Sequence, residues 1–217
     1  AVLRMPYDMD DGFHMTGYWF LDEGTTWQPD EKLAAFLEAG EPPVYIGFGS
    51  LTTKNPKQLG EEILEGVRRA GVRALLATGW GGIEETDLPE NVHMIESAPD
   101  DALFKRVSAV VHHGGAGSTG AGLRAGLPTL VCYMAVDQPF WGNRVYKLGC
   151  GPEPLSLKRL KAESFASALR ALVTKSSYRE RAEEVARGIA AEDGIMRAIE
   201  VIEAQERRDA ETLDSGS

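Results

Sequence analysis

The chain has 217 residues, 43% of them hydrophobic and 26% charged, with a formal net charge of −10 at pH 7. That content supports one large domain with a full core, and no run approaches the ~20 apolar residues of a membrane span. The acidic balance argues against nucleic acid, whose phosphates demand a basic face, and two cysteines, Cys132 and Cys150, make neither a disulfide framework nor a metal-ligand spacing, so a reduced cytoplasmic setting is expected.

Residues 1–30 show no sustained period, several punctuators (Pro6, Gly12, Gly24, Pro29) and dense aromatics, Tyr7, Phe13, Tyr18, Trp19, Phe20 and Trp27. Such a segment reads either as an ordered arm or as the remnant of a missing domain. The opening Ala1-Val2-Leu3-Arg4, with no signal peptide, reads as the middle of a longer polypeptide. Asp30 is placed to cap a short helix reaching Ala39, stopped by Gly40 and Pro42-Pro43. Residues 44–48 read as a buried strand ending in Gly47-Phe48-Gly49-Ser50, and 56–70 as an amphipathic helix with Leu59, Ile63, Leu64 and Val67 on one stripe. A strand over 73–78 leads to Gly79-Trp80-Gly81-Gly82, and another over 92–95 to Ala98-Pro99-Asp100-Asp101 and a short helix reaching Lys105. Residues 109–112 form the fourth strand, 118–125 its helix, and 128–132 the fifth strand. Helical patterns follow over 138–148, 157–173 and 178–206, then a polar tail over 206–217. Alternating strands and helices with short loops predict an α/β domain, a Rossmann-like parallel sheet covered by helices on both faces.

The sharpest chemistry lies between the fourth and fifth strands, in His112-His113-Gly114-Gly115-Ala116-Gly117-Ser118-Thr119. A strand, a glycine turn and a helix N-terminus make an anion cradle, because main-chain N–H groups and the helix dipole face the ligand. Ser118 and Thr119 add hydroxyls and an expected N-cap, and His112, closing the strand, places an imidazole beside the anion. The same small residues also serve close strand–helix packing, and His113 is ambiguous. The Gly-Lys-Ser/Thr of a P-loop is lacking, which disfavours ATP hydrolysis. Asp137-Gln138 offers a carboxylate and an amide suited to vicinal hydroxyls, or equally an N-cap for the helix that follows. Gly47–Ser50 stands ready to face the same anion from another strand. Trp141 reads as core or interface.

Together, His112–Thr119, Gly126-Leu127-Pro128-Thr129, Asp137-Gln138-Pro139-Phe140-Trp141-Gly142 and Val44–Leu51 resemble the nucleotide-sugar glycosyltransferases of the GT-B fold, sterol 3-beta-glucosyltransferases and related bacterial enzymes above all. Thr16–Asp22 is similar to the segment joining the two halves of such enzymes. The resemblance implies an inverting transferase that uses UDP-glucose and no metal or other cofactor. It assigns the diphosphate to Ser50, His112 and Gly114–Thr119, the sugar hydroxyls to Asp137 and Gln138, and the nucleobase edge to Ser97, Pro99 and Asp100. Residues 1–40 would be a remnant of the amino-terminal domain and linker, 41–177 the donor domain, and 178–217 a carboxyl-terminal helix and tail that crosses back and exposes an apolar face. Where the family places its catalytic base, in the acceptor domain, this chain has nothing to match, so that domain is expected in cis or in trans, with a membrane-derived lipid as the acceptor. Ser97 stands where plant relatives carry a tryptophan, Gly120 where many carry a glutamate, and Met134-Ala135-Val136 where a Phe-Phe-Gly-like run is usual. The alternatives are a non-catalytic nucleotide-sugar-binding subunit and, further off, a sugar-nucleotide epimerase, for which Asp137 alone would qualify as cleft acid.

Overall fold

A computed structural model describes residues 1–3, 12–22, 26–49, 55–78 and 88–215, with the backbone alone at residues 209 and 211–215. The chain divides into two units, Ala1–Leu21 with Arg187–Ser217, and Asp22–Ala186.

The larger unit begins with α1 (Glu31–Glu38), started by Asp30, whose carboxylate accepts from Leu33 N–H at 2.8 Å. It then alternates β1 (Val44–Gly47), α2 (Pro56–Ala70), β2 (Ala74–Ala77), β3 (Val92–Ile95), α3 (Asp100–Leu103), β4 (Ala109–His112), α4 (Ala116–Arg124), β5 (Thr129–Tyr133), α5 (Gln138–Lys147), β6 (Leu155–Ser156) and α6 (Ala162–Thr174). The six strands pair in the order β3-β2-β1-β4-β5-β6, all parallel. Each pair needs a crossover, and the helices that supply it cover both faces.

Side chains alternate across this sheet. Ile46, Leu76 and Val111 enter a core with Ile63 and Val67 of α2 and Phe165, Leu169 and Leu172 of α6. Their neighbours Leu75 and Val110 enter the other, with Leu33 and Leu37 of α1 and with Leu103 and Phe104. Period-two alternation thus builds two cores from strands that are apolar throughout. On the first face α2 and α6 approach closely at Gly66, where an added Cβ would stand 2.7 Å from Phe165 Cδ1. Glu62 of α2 also caps α6, accepting from Ala162 N–H at 2.6 Å and from Lys161 Nζ at 2.9 Å.

The elements depart from the sequence reading in four places. α4 starts at Ala116 with Gly115 as its N-cap, two residues before the expected Ser118, so no hydroxyl caps it. The segment 157–173 is not one helix: β6 and a 3₁₀ turn (Leu157–Arg159) precede α6. The final pattern divides into α7 (Ser176–Ala190) and α8 (Gly194–Ser215). Asp193 makes the break by accepting from Met196 N–H at 3.1 Å, an N-cap that starts a new helix. The polar tail past Glu206 continues as helix to Ser215, as its Glu, Arg and Ala content allows. In the smaller unit, α8 leaves Ile195, Met196, Ile199 and Ile202 exposed. No described helix is long and apolar enough to cross a membrane.

Candidate functional site

Parallel registers set the carboxyl ends of the strands side by side. Gly47 of β1 pairs with His112 of β4, and His112 with Val131 of β5, so the loops after these strands converge on one edge. In open parallel sheets that edge is where ligands bind.

The turn from β4 into α4 is shaped by two glycines. Gly114 has φ +93°, and a Cβ there would lie 2.7 Å from Val131 Cγ1. Gly115 carries the ring of His113 directly above it, 2.7 Å from where a Cβ would stand. α4 then begins, and Thr119 N–H is the first amide to return inward, donating to Gly115 O at 2.9 Å. The amides of Ala116, Gly117 and Ser118 belong to the first helical turn and have no intrahelical acceptor. Among the described residues nothing stands within 4 Å of a Cβ built on Gly117, which is exposed.

The paired histidines part company here. His112 is 2% exposed, and its Nδ1 accepts from Gly114 N–H at 2.9 Å, which puts its single proton on Nε2. That Nε2 is buried and has no partner among the described residues, and burial, with His113 beside it, holds the His112 pKa down at about 3. His113 is half-buried and lies past the end of the strand. Its ring bridges the glycine turn and the β1 loop: Nε2 sits over Gly115, and Cε1 is 3.7 Å from a Cβ built on Gly49. Its Nδ1 has no hydrogen-bond partner among the described residues. Burial lowers its pKa, and the charge of Asp137 opposes that shift, so the carboxylate lies within electrostatic reach. The sequence reading favoured His112 because it ends the strand. The same fact buries it, while the next residue escapes the strand's alternation into the cleft.

Thr119 is likewise redirected: it is fully buried, and its hydroxyl donates to Gly115 O at 2.8 Å. Ser118 keeps a partly exposed position on the first turn. Ser50, and the Gly79–Gly82 loop, lie outside the described residues.

After β5 the chain turns sharply. Val136 has φ 58° and is 92% exposed, a left-handed conformation that costs a β-branched residue about 1–3 kcal/mol. The turn is held by Gln138, whose Oε1 accepts from the N–H groups of Met134 at 2.7 Å and Ala135 at 3.2 Å. Asp137 precedes α5 but makes no side-chain cap bond to it. Its Oδ2 instead accepts from Trp141 Nε1 at 3.0 Å, one helical turn on. Trp141 is therefore a polar partner of Asp137 rather than core, and an Asp–Trp pair at i, i+4 was the signal available for it.

Ser97 and Asp100 are exposed and Pro99 half-buried, all in the short passage from β3 to α3 at the same sheet edge. Pro99 O accepts from Ala102 and Leu103 N–H, starting α3, which packs against α4. From β3 to β5 is four strand spacings, or ~19 Å, along the same sheet edge. A separate recess of about 600 Å³, bordered by Gln58, Met134 and Lys158, lies beside β6 and includes none of the expected site residues.

Known proteins share the sequence and the fold. A sterol 3-beta-glucosyltransferase of Arabidopsis thaliana is 40% identical over 92% of this chain, which covers 32% of that protein. One of Yarrowia lipolytica is 42% identical over 93% of this chain and 15% of its own length. The chain thus spans a third or less of these relatives. Among solved structures, the glycotransferase of kitacinnamycin superposes with a TM-score of 0.73 at 25% identity, covering 91% of this chain and 50% of that one. The calicheamicin glycosyltransferase has a TM-score of 0.71 at 24% identity, a likeness of fold, over 93% of this chain and 50% of that one. The family described as erythromycin biosynthesis protein CIII-like, C-terminal domain, matches residues 81–204. With a parallel six-stranded sheet shared with GT-B glycosyltransferases and more than half its length inside that match, the chain belongs to the EryCIII-like C-terminal domain family of glycosyltransferases.

Proposed function

We propose that the larger unit is the donor-binding half of an inverting glycosyltransferase that moves a hexose, glucose in the first instance, from a UDP-sugar to a hydroxyl of a lipid or sterol-like acceptor. The observation that carries this reading is the β4–α4 turn, where the amides of Ala116, Gly117 and Ser118 open α4 without intrahelical acceptors, next to Gly115 and the His113 ring above it. Three main-chain donors and a helix N-terminus suit a pyrophosphate. His113, rather than His112, is the imidazole that donates a hydrogen bond to it. Asp137 and Gln138 take the sugar hydroxyls, and the passage through Ser97, Pro99 and Asp100 takes the base. The glucose and the sterol rest on the names of the relatives.

In this reading the acceptor oxygen attacks the anomeric carbon as the bond to the β-phosphate oxygen breaks. The electron pair leaves on UDP, where the α4 amides and His113 stabilise the growing charge. The acceptor proton goes to a base on the acceptor-binding half, which lies outside this chain. The isolated chain then binds UDP and transfers nothing; robust transfer to a sterol by the chain alone would locate the base within it.

Calorimetric titration with UDP, dTDP and UDP-glucose tests the donor assignment. Gly115→Val places a branched side chain where His113 Nε2 is 2.7 Å from a Cβ. It should weaken UDP binding more than roughly tenfold, the loss of a charge-assisted hydrogen bond or more, while the thermal transition survives. A wild-type chain that ignores UDP, or a Gly115→Val chain that binds it equally well, overturns the reading.

A further inference from the structure

Two side chains around the Val136 turn already spend one atom each on the protein itself. Gln138 uses Oε1 to accept two main-chain amides, those of Met134 and Ala135, and Ala135 O accepts in return from Gln138 N–H at 3.3 Å. Asp137 uses Oδ2 to accept from the Trp141 indole. Among the described residues, Asp137 Oδ1 and the Gln138 amide nitrogen take no hydrogen bond, which leaves one acceptor oxygen and one donor group. The turn between them is strained at Val136, and a strained turn persists only where its surroundings over-determine it. Here the surroundings are these two latches.

We propose that Trp141 is a positioning residue that fixes the Asp137 carboxylate, so that, with the Gln138 clamp, the site presents a preset pair, one acceptor and one donor, to two hydroxyls of the donor hexose. This rests on the donor-binding reading and narrows it to a hexose that carries both of the hydroxyls met by the pair. A sugar lacking either of those two would leave one of the atoms unpaired, and a site built to bond a hydroxyl disfavours the analogue that lacks it. Gln138 cannot compensate by flipping its amide, because that would set its NH₂ group against two N–H donors.

The test uses the full 217-residue chain, UDP and UDP-glucose. Trp141→Phe keeps the ring and removes the N–H. It should leave UDP affinity within about twofold of wild type and reduce the gain of UDP-glucose over UDP by roughly five- to tenfold, within the range of one ordinary hydrogen bond, since the indole acts on the sugar only through the carboxylate. A merely structural tryptophan would instead weaken both ligands together. Asp137→Asn provides the cycle: if Trp141 acts through Asp137, Trp141→Phe adds nothing further in the Asp137→Asn background. An unchanged UDP-glucose gain in Trp141→Phe, or additive effects in the double variant, overturns the positioning role while leaving the donor site intact. A wild-type chain that binds UDP yet gains nothing from the glucose overturns the sugar-reading pair itself, and the positioning role with it.

Discussion

His112 shows how one residue's burial becomes a property that can be measured. Its ring is neutral in the folded chain because burial holds its pKa at about 3, against 6.5 when unfolded. Between those values the unfolded state binds a proton that the folded state refuses. The stabilisation is therefore complete above pH 6.5 and is lost progressively as the pH falls toward 3. Over the first 1.5 pH units below that value, to about pH 5, the loss is about 2 kcal/mol, at roughly 1.4 per unit. His112→Asn removes the titration and keeps an oxygen to accept from Gly114 N–H. Urea unfolding at about pH 7.5 and pH 5 should show a smaller decline for the variant than for the parent, by up to that amount. Equal declines would mean that the histidine is already accessible to protons in the folded chain. Its neighbour His113, one residue further on, is only half-buried, because the strand ends between them.

At the scale of elements, packing of α2 on α6 rests on a missing methyl group. A Cβ on Gly66 would stand 2.7 Å from Phe165 Cδ1 and 3.3 Å from Ala162 O, and the latter is main chain at the very start of α6. Gly66→Ala gains helix propensity but forces this contact apart, and overpacking of this kind costs about 1–3 kcal/mol. The thermal midpoint should fall by roughly 3–10 °C for a domain of this size, and a rise would show that Phe165 can move aside freely. Such close approaches are not visible in sequence, where Gly66 is merely a weak residue in an amphipathic stripe. What sequence did reveal were the elements with strong local signals: Asp30 capping α1, Pro56 opening α2, and apolar runs for β3 and β4. Elements fixed by long-range contact were missed. β6 is two residues long and exists only by pairing with Cys132 and Tyr133. The start of α4 was misjudged because serine and threonine are strong cap formers, yet here a glycine takes that position and Thr119 turns its hydroxyl back to Gly115 O. At the site, the glycine turn and the Asp137-Gln138 pair were legible as motifs. The partition of the two histidines and the Trp141 latch needed the register of β4 and the first turn of α5.

For the whole molecule, the electrostatics of the proposed donor site run against the usual design for phosphate. The chain carries a net charge of −10, and neither 112–119, 134–141 nor 97–101 contains a lysine or arginine. A diphosphate approaching it meets long-range repulsion and is then held by neutral amides, a helix N-terminus and an imidazole. Salt screens the repulsion over a Debye length of ~10 Å at 0.1 M, while the short-range amide bonds are little affected. UDP affinity should accordingly be no tighter at about 0.02 M than at about 0.3 M sodium chloride, and addition of EDTA should leave it unchanged. A site built on lysine, arginine or a divalent cation behaves in the opposite way, weakening as salt rises or as the metal is stripped. If titrations show UDP binding falling tenfold or more across that range, a cation outside these three segments holds the pyrophosphate, and the amide turn at Ala116–Ser118 is only its neighbour.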